Sequence, residues 1–97
     1  MTIIQAYPPM IDEIDAVFHV VGKKVIYAWG NDIYNPCNIW IPKHLLAHEA
    51  VHQERQKEIQ ATTLGHAGTE ARVRAWWELY LSYTAFRLTE ETLAHRA

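Results

Sequence analysis

The chain has 97 residues, room for one small domain and not a second. Four Trp and five Tyr raise the apolar share to 49%, enough large side chains for a core at this size. Nine Lys and Arg against eleven Asp and Glu leave a net charge of -2, which excludes a basic nucleic-acid binder and an acidic disordered tail. One Cys, Cys37, excludes an internal disulfide and a Cys-rich zinc knuckle. No apolar run reaches the length of a membrane span. Acids at 12, 13 and 15, ahead of the first Lys at 23, are the wrong charge order for a signal peptide. The expectation is a single domain over 1–97, cytoplasmic or part of a virion, with neither nucleic acid nor membrane as partner.

Residues 2–9 read as a short extended lead-in that stops at Pro8-Pro9. Ile11, Ile14, Val17, Phe18 and Val21 recur at helical spacing behind acids, so a helix is expected over about 10–20, ended by Gly22. Lys23–Trp29 is β-branched and aromatic and reads as a strand. Turn signals at 30–32 and 35–36 bracket an extended Ile33-Tyr34, and 38–41 reads as a further strand before Pro42. A helix then runs from Lys43 to about Thr62, apolar in its first half and polar in its second, so it should enter buried and leave solvated. A loop at 64–68 leads to Thr69 as N-cap of a helix reaching about Tyr83. A break near 82–84 precedes a last helix through Ala94. These elements give an α+β fold, a small antiparallel sheet or hairpin packed on a mainly helical body.

The chemistry sits in the first half of the long helix, where His48-Glu49-Ala50-Val51-His52 spells HExxH. Residues four apart on a helix project from one face, so His48 and His52 can grip one Zn²⁺. Glu49 lies about 100° around the helix and is better placed to reach water on the metal than the metal itself. Zn²⁺ lowers the pKa of such a water toward 7, and a carboxylate can take its proton. Random placement of six His and eight Glu in 97 residues would give the pattern roughly 0.03 times. Two His and a Glu inside an apolar half-helix are also costly without a partner.

A third ligand must come from elsewhere. Glu54 and Glu58 share the helix at the wrong phase; Glu70 and Glu78 on the next helix remain open, and so does one of Glu90 and Glu91 on the last. Ala94, three residues after Glu91, would let the two helices approach closely. His95 lies on the face of Glu91 and reads as a partly exposed residue near a frayed C-terminus, with a role as oxyanion donor, further ligand or residue that orders Glu91 open to it. His66 sits in a Gly-flanked loop, while His19 and His44 read as structural or solvated. Tyr80 and Tyr83 read as core with an oxyanion role open to them, and Trp76 and Trp77 as core. Cys37 reads as a free buried thiol, with contact to the metal as the alternative, and the 38–41 strand as an edge on which a peptide could align.

An HExxH helix followed by a helix with Glu91-Thr92-Leu93-Ala94 resembles the gluzincin class of zinc metallopeptidases. The resemblance is closer to small metallopeptidase-like domains encoded by phages and prophages. It rests on VIYAWGNDIYNP (25–36), LLAHEAVHQERQ (45–56) and WWELYLSYTAFRLTEETLAHR (76–96), about half of the chain. It implies one zinc per chain, bound by His48, His52 and Glu91 between the HExxH helix and the last helix, with Glu49 as general base. The activity it implies is hydrolysis of a peptide bond, as an endopeptidase or amidase, on a peptide or protein substrate. The chain departs from the family pattern at Thr84, where Pro is usual, and at Leu93, where Glu is common. The rival expectation is a catalytically silent zinc-binding component of a phage particle, with phage structural proteins as partners.

Overall fold

A computed structural model describes residues 2–58 and 69–96. Strand β1 (Thr2–Ile4) opens the chain, and helix α1 (Ile11–Phe18) follows the Pro8-Pro9 stop. Asp12 and Glu13 occupy the first turn of α1, where carboxylates complement the exposed N–H groups. The helix ends earlier than its periodicity predicts. His19 takes the left-handed conformation (φ 55°) and its N–H returns to the Asp15 carbonyl, so the chain turns before Gly22.

Strands β2 (Tyr27–Trp29) and β3 (Asp32–Tyr34) form the expected antiparallel hairpin, with Ala28 opposite Ile33. The N-terminal segment does more than lead in: β1 adds to β3 in parallel, Ile3 opposite Ile33, and makes a mixed sheet of order β1-β3-β2. Residues 23–25 are not strand, because Lys23 N–H bonds Val20 and Val25 N–H bonds Lys23 in successive turns. The strand expected at 38–41 is absent too. Asn35 accepts the Ile39 N–H (3.0 Å) and donates to the Ile39 carbonyl (2.9 Å), while Asn38 is left-handed (φ 49°). One side chain thus takes both main-chain groups that a sheet would need.

Helix α2 (Lys43–Glu58) carries HExxH, and its expected end near Thr62 lies outside the described residues, as does the 64–68 loop. Helix α3 (Thr69–Ser82) and helix α4 (Thr84–His95) are separated by Tyr83, whose extended backbone (φ -123°, ψ 112°) supplies the break. The core lies between α1, β2 and α3: Met10, Ile14, Tyr27, Trp29, Val73, Trp76 and Trp77. Residues 73, 76, 77 and 80 form one stripe of α3 at 3- and 4-residue spacing, which turns its aromatics inward. Among the described residues no helix is long and apolar enough to cross a membrane.

The second half of α2 is not solvated as its polarity suggests. Gln56 is fully buried; its amide donates to the Ala28 carbonyl (2.9 Å) and accepts from the Gly30 N–H (2.7 Å). Gln53 is buried as well and donates to the Asp32 carbonyl at 3.1 Å. Both amides lie on the hairpin, and Gln56 satisfies main-chain groups along the edge strand β2 that no further strand pairs. They fix the depth at which α2 sits, and with it the position of the His pair one turn earlier.

Candidate metal centre

His48 and His52 project from α2 toward α4, where Glu91 meets both. His48 Nε2 is 3.1 Å from one Glu91 oxygen, and His52 Nε2 is 3.0 Å from the other. The ligand atoms of these three residues all lie within 4.8 Å of one another, a group that could hold a metal ion. Bonds of about 2.0–2.2 Å at tetrahedral angles would set neighbouring donor atoms about 3.3 Å apart, close to both nitrogen–oxygen separations. Two imidazoles and a carboxylate suit Zn²⁺ and its first-row neighbours. Burial lowers the pKa of His48, against the opposing pull of Glu91, and so favours the neutral ring that a metal requires. The His52 hydrogen bond, assisted by Tyr80, holds the Glu91 carboxylate down at about 2 although burial opposes it.

The phase of α4 separates two adjacent carboxylates. Glu90 is fully buried and faces away from the His pair: Arg55 Nε reaches both its oxygens (3.0 and 3.2 Å), and the Trp76 indole donates to one at 2.8 Å. Glu91, about 100° on, is left for the two His and for the Tyr80 hydroxyl, which donates to it at 2.5 Å. Buried Ala94 follows one turn later at the α2–α4 contact. Trp76 ties these groups together. Its ring stacks on Tyr80 (centroids 4.8 Å, 17°) and packs on His52 at 5.1 Å. His52 Nδ1 is buried without a hydrogen-bond partner, so ring packing orients this imidazole where a hydrogen bond commonly does so at metal sites.

Glu49 is 8% exposed, and among the described residues no ion pair or hydrogen bond claims its carboxylate. Burial pushes its pKa up to about 7; His52 opposes that rise and Glu91 adds to it. It shares with His48, His52 and Glu91 the wall of an open cavity of about 270 Å³. The other walls are α1 (Ile14, Phe18), residues Val25 to Ala28 leading into β2, and the α3 aromatics.

The other residues singled out by sequence fall elsewhere. Glu70 accepts from the Trp29 indole (3.1 Å) and pairs with Arg74, while Glu78 stands on α3 outside the metal group. Cys37 is exposed, with its thiol on the Lys23 carbonyl, so it is neither buried nor at the metal group. His19 caps α1 and His44 is exposed on the first turn of α2; His66 lies outside the described residues. Tyr83 is 60% exposed, whereas Tyr80 serves both core and site. The ring of His95 sits edge-on to His48, centroids 5.0 Å apart, outside the three-residue group. Sequence reasoning missed Arg55, Gln53 and Gln56; the only signal is helical spacing, Arg55 and Gln56 lying three and four residues after His52 and Gln53 four after Glu49. Comparison with family models, curated proteins and solved structures finds no match to this chain.

Proposed function

We propose that the chain is a zinc-dependent peptide hydrolase of minimal size, similar to the phage-encoded metallopeptidase-like domains. The observation that carries the reading is the pairing of a three-residue ligand group with a buried, unclaimed Glu49 on one open cavity. His48, His52 and Glu91 would hold the ion. Three protein ligands leave a position open, as catalytic zinc sites do and structural sites do not. When bound, zinc would acidify water and polarise the scissile carbonyl.

Glu49 takes the proton of the attacking water on its carboxylate and returns it to the leaving nitrogen. A base with a pKa near the working pH accepts and releases a proton with little cost in either direction, and burial brings Glu49 there. Tyr80 keeps one Glu91 oxygen in place through its hydroxyl. The phage resemblance assigns the work to the host cytoplasm or to a virion.

Glu49→Gln tests the proposal, because it is nearly isosteric and removes only the base. The variant should retain zinc and fold while turnover on a peptide library drops on the order of 10²–10⁴-fold. A wild type that cleaves nothing and whose zinc has four protein ligands would overturn the hydrolase in favour of the silent assembly component.

A further inference from the structure

Arg87, Glu91 and His95 are spaced four apart on α4 and share one face, each about 6 Å along the axis from the next. Glu91 belongs to the ligand group and His95 packs on His48. Arg87 holds the opposite end of the stripe. Its guanidinium carbon is 4.8 Å from the centre of the Phe18 ring and 5.8 Å from that of Tyr80. Both rings are walls of the cavity that ends on Glu49 and the His pair. Its Nε–H donates to the Tyr80 carbonyl at 3.1 Å, which fixes the plane of the group.

The two terminal nitrogens carry four more N–H donors. Among the described residues no carboxylate or carbonyl receives them. A partly buried guanidinium, held by one hydrogen bond and two rings with its fork unused, is set up for bidentate recognition of an oxyanion. The nearby cavity has, besides the metal group, an apolar lining that includes Ile14, Phe18, Val25 and Trp77. At about 270 Å³ it falls just under the usual size of small-molecule sites, roughly 300–1,000 Å³, so it admits one residue rather than an extended segment.

We infer that Arg87 recognises the free carboxylate of a C-terminal residue whose apolar side chain fills this cavity. The site then removes single apolar residues from the C-terminus of peptides. In such a substrate the carboxylate stands two bonds from the scissile nitrogen, and Arg87 stands one helical turn from Glu91. The step is a hydrolysis: the amide C–N bond breaks, the acyl carbon gains hydroxyl, the departing nitrogen gains the proton, and nothing is oxidised. The inference rests on the hydrolase reading for its chemistry but not for its binding contact, and the two are separable by experiment.

The binding arm compares N-acetyl-phenylalanine with N-acetyl-phenylalaninamide, read by tryptophan fluorescence in chelator-treated and zinc-loaded protein. Wild type should bind the carboxylate at least about tenfold tighter than the amide in both forms, the lower end for charge-assisted hydrogen bonds. Arg87→Gln should abolish the preference, and Arg87→Lys should recover part of it. No preference in wild type, or a preference intact in Arg87→Gln, overturns the inference; in the second case, a preference confined to the zinc-loaded form shows that the metal reads the carboxylate. If Arg87→Gln fails to fold, Arg87→Lys decides, since it keeps the charge and loses the fork: an unchanged preference refutes the role. The activity arm uses hippuryl-phenylalanine and its amide. Cleavage of both at equal rates defeats Arg87 recognition and leaves the hydrolase standing. Cleavage of neither, with the binding preference present, defeats the hydrolase and leaves the carboxylate site.

Discussion

Glu90 and Glu91 are neighbours with opposite duties, so replacing each should damage a different property. Glu90→Ala removes a fully buried carboxylate that receives Arg55 and the Trp76 indole. Breaking a buried ion pair costs about 3–5 kcal/mol when the abandoned charge stays buried. The Arg55 side chain is 38% exposed and can turn to water, which moves the cost to the lower end, but the indole N–H is left in the core. The expected loss is about 3 kcal/mol, or about 15 °C in Tm for a domain of this length. The assay is thermal unfolding by circular dichroism in the presence of chelator, so that bound metal does not contribute. A Glu90→Ala variant melting within about 3 °C of wild type would refute the assignment of Glu90 as the buried clamp. Glu91→Gln should act chiefly on the metal, weakening zinc binding far more than Glu90→Gln does; it also lowers the metal-free Tm, because the fold holds the Glu91 carboxylate at about 2. A larger zinc loss from Glu90→Gln would mean that α4 sits one residue out of phase.

Removing both imidazoles with His48→Ala and His52→Ala should abolish zinc binding, and full metal retention in that double variant would eliminate the α2 site. Gln56→Leu keeps the volume but orphans the Gly30 N–H, since the Ala28 carbonyl still receives the Trp77 indole; a loss of about 1–3 kcal/mol is expected in urea unfolding. Tyr27 predicts alkaline sensitivity: burial pushes its phenol up to about 12, so the folded protein keeps a proton that the unfolded chain releases near 10. That stabilisation is complete below pH 10 and is lost as pH rises toward 12, about 3 kcal/mol in all. Tyr27→Phe, whose lost hydroxyl has no hydrogen-bond partner, should be neutral at pH 7 and should flatten Tm between pH 10 and 12; an unchanged alkaline slope would show that other groups cause it.

Local chemistry was legible where a single helix carries it. The four-residue spacing of His48 and His52 and the 100° step to Glu49 follow from helical geometry, and the structure preserves both. The choice between Glu90 and Glu91 was not written in α4 itself. It is made by Arg55 and Trp76 on two other helices, which occupy Glu90 and leave its neighbour. The sheet was half legible: the hairpin follows from its turn residues, whereas the parallel pairing of β1 joins residues thirty apart in the chain. The 38–41 segment has strand composition but loses its main-chain groups to Asn35, a competition that propensity does not see. Gln53 and Gln56 looked solvated because polarity was taken for exposure.

The buried residues of α2 are Glu49, His52, Gln53 and Gln56, without one hydrocarbon side chain among them. An oily helix face tolerates exchange of one hydrocarbon for another of similar volume. This face tolerates no such exchange, because His52, Gln53 and Gln56 are each held by atom-to-atom complementarity to a particular oxygen or nitrogen. Water can also compete for every one of those partners, as it cannot for a methyl group. The helix that carries the His pair therefore has little slack for sequence drift. In metal-free protein its amides should exchange with deuterium ahead of those in the Trp-packed α3, so the HExxH segment detaches while the rest of the domain still stands.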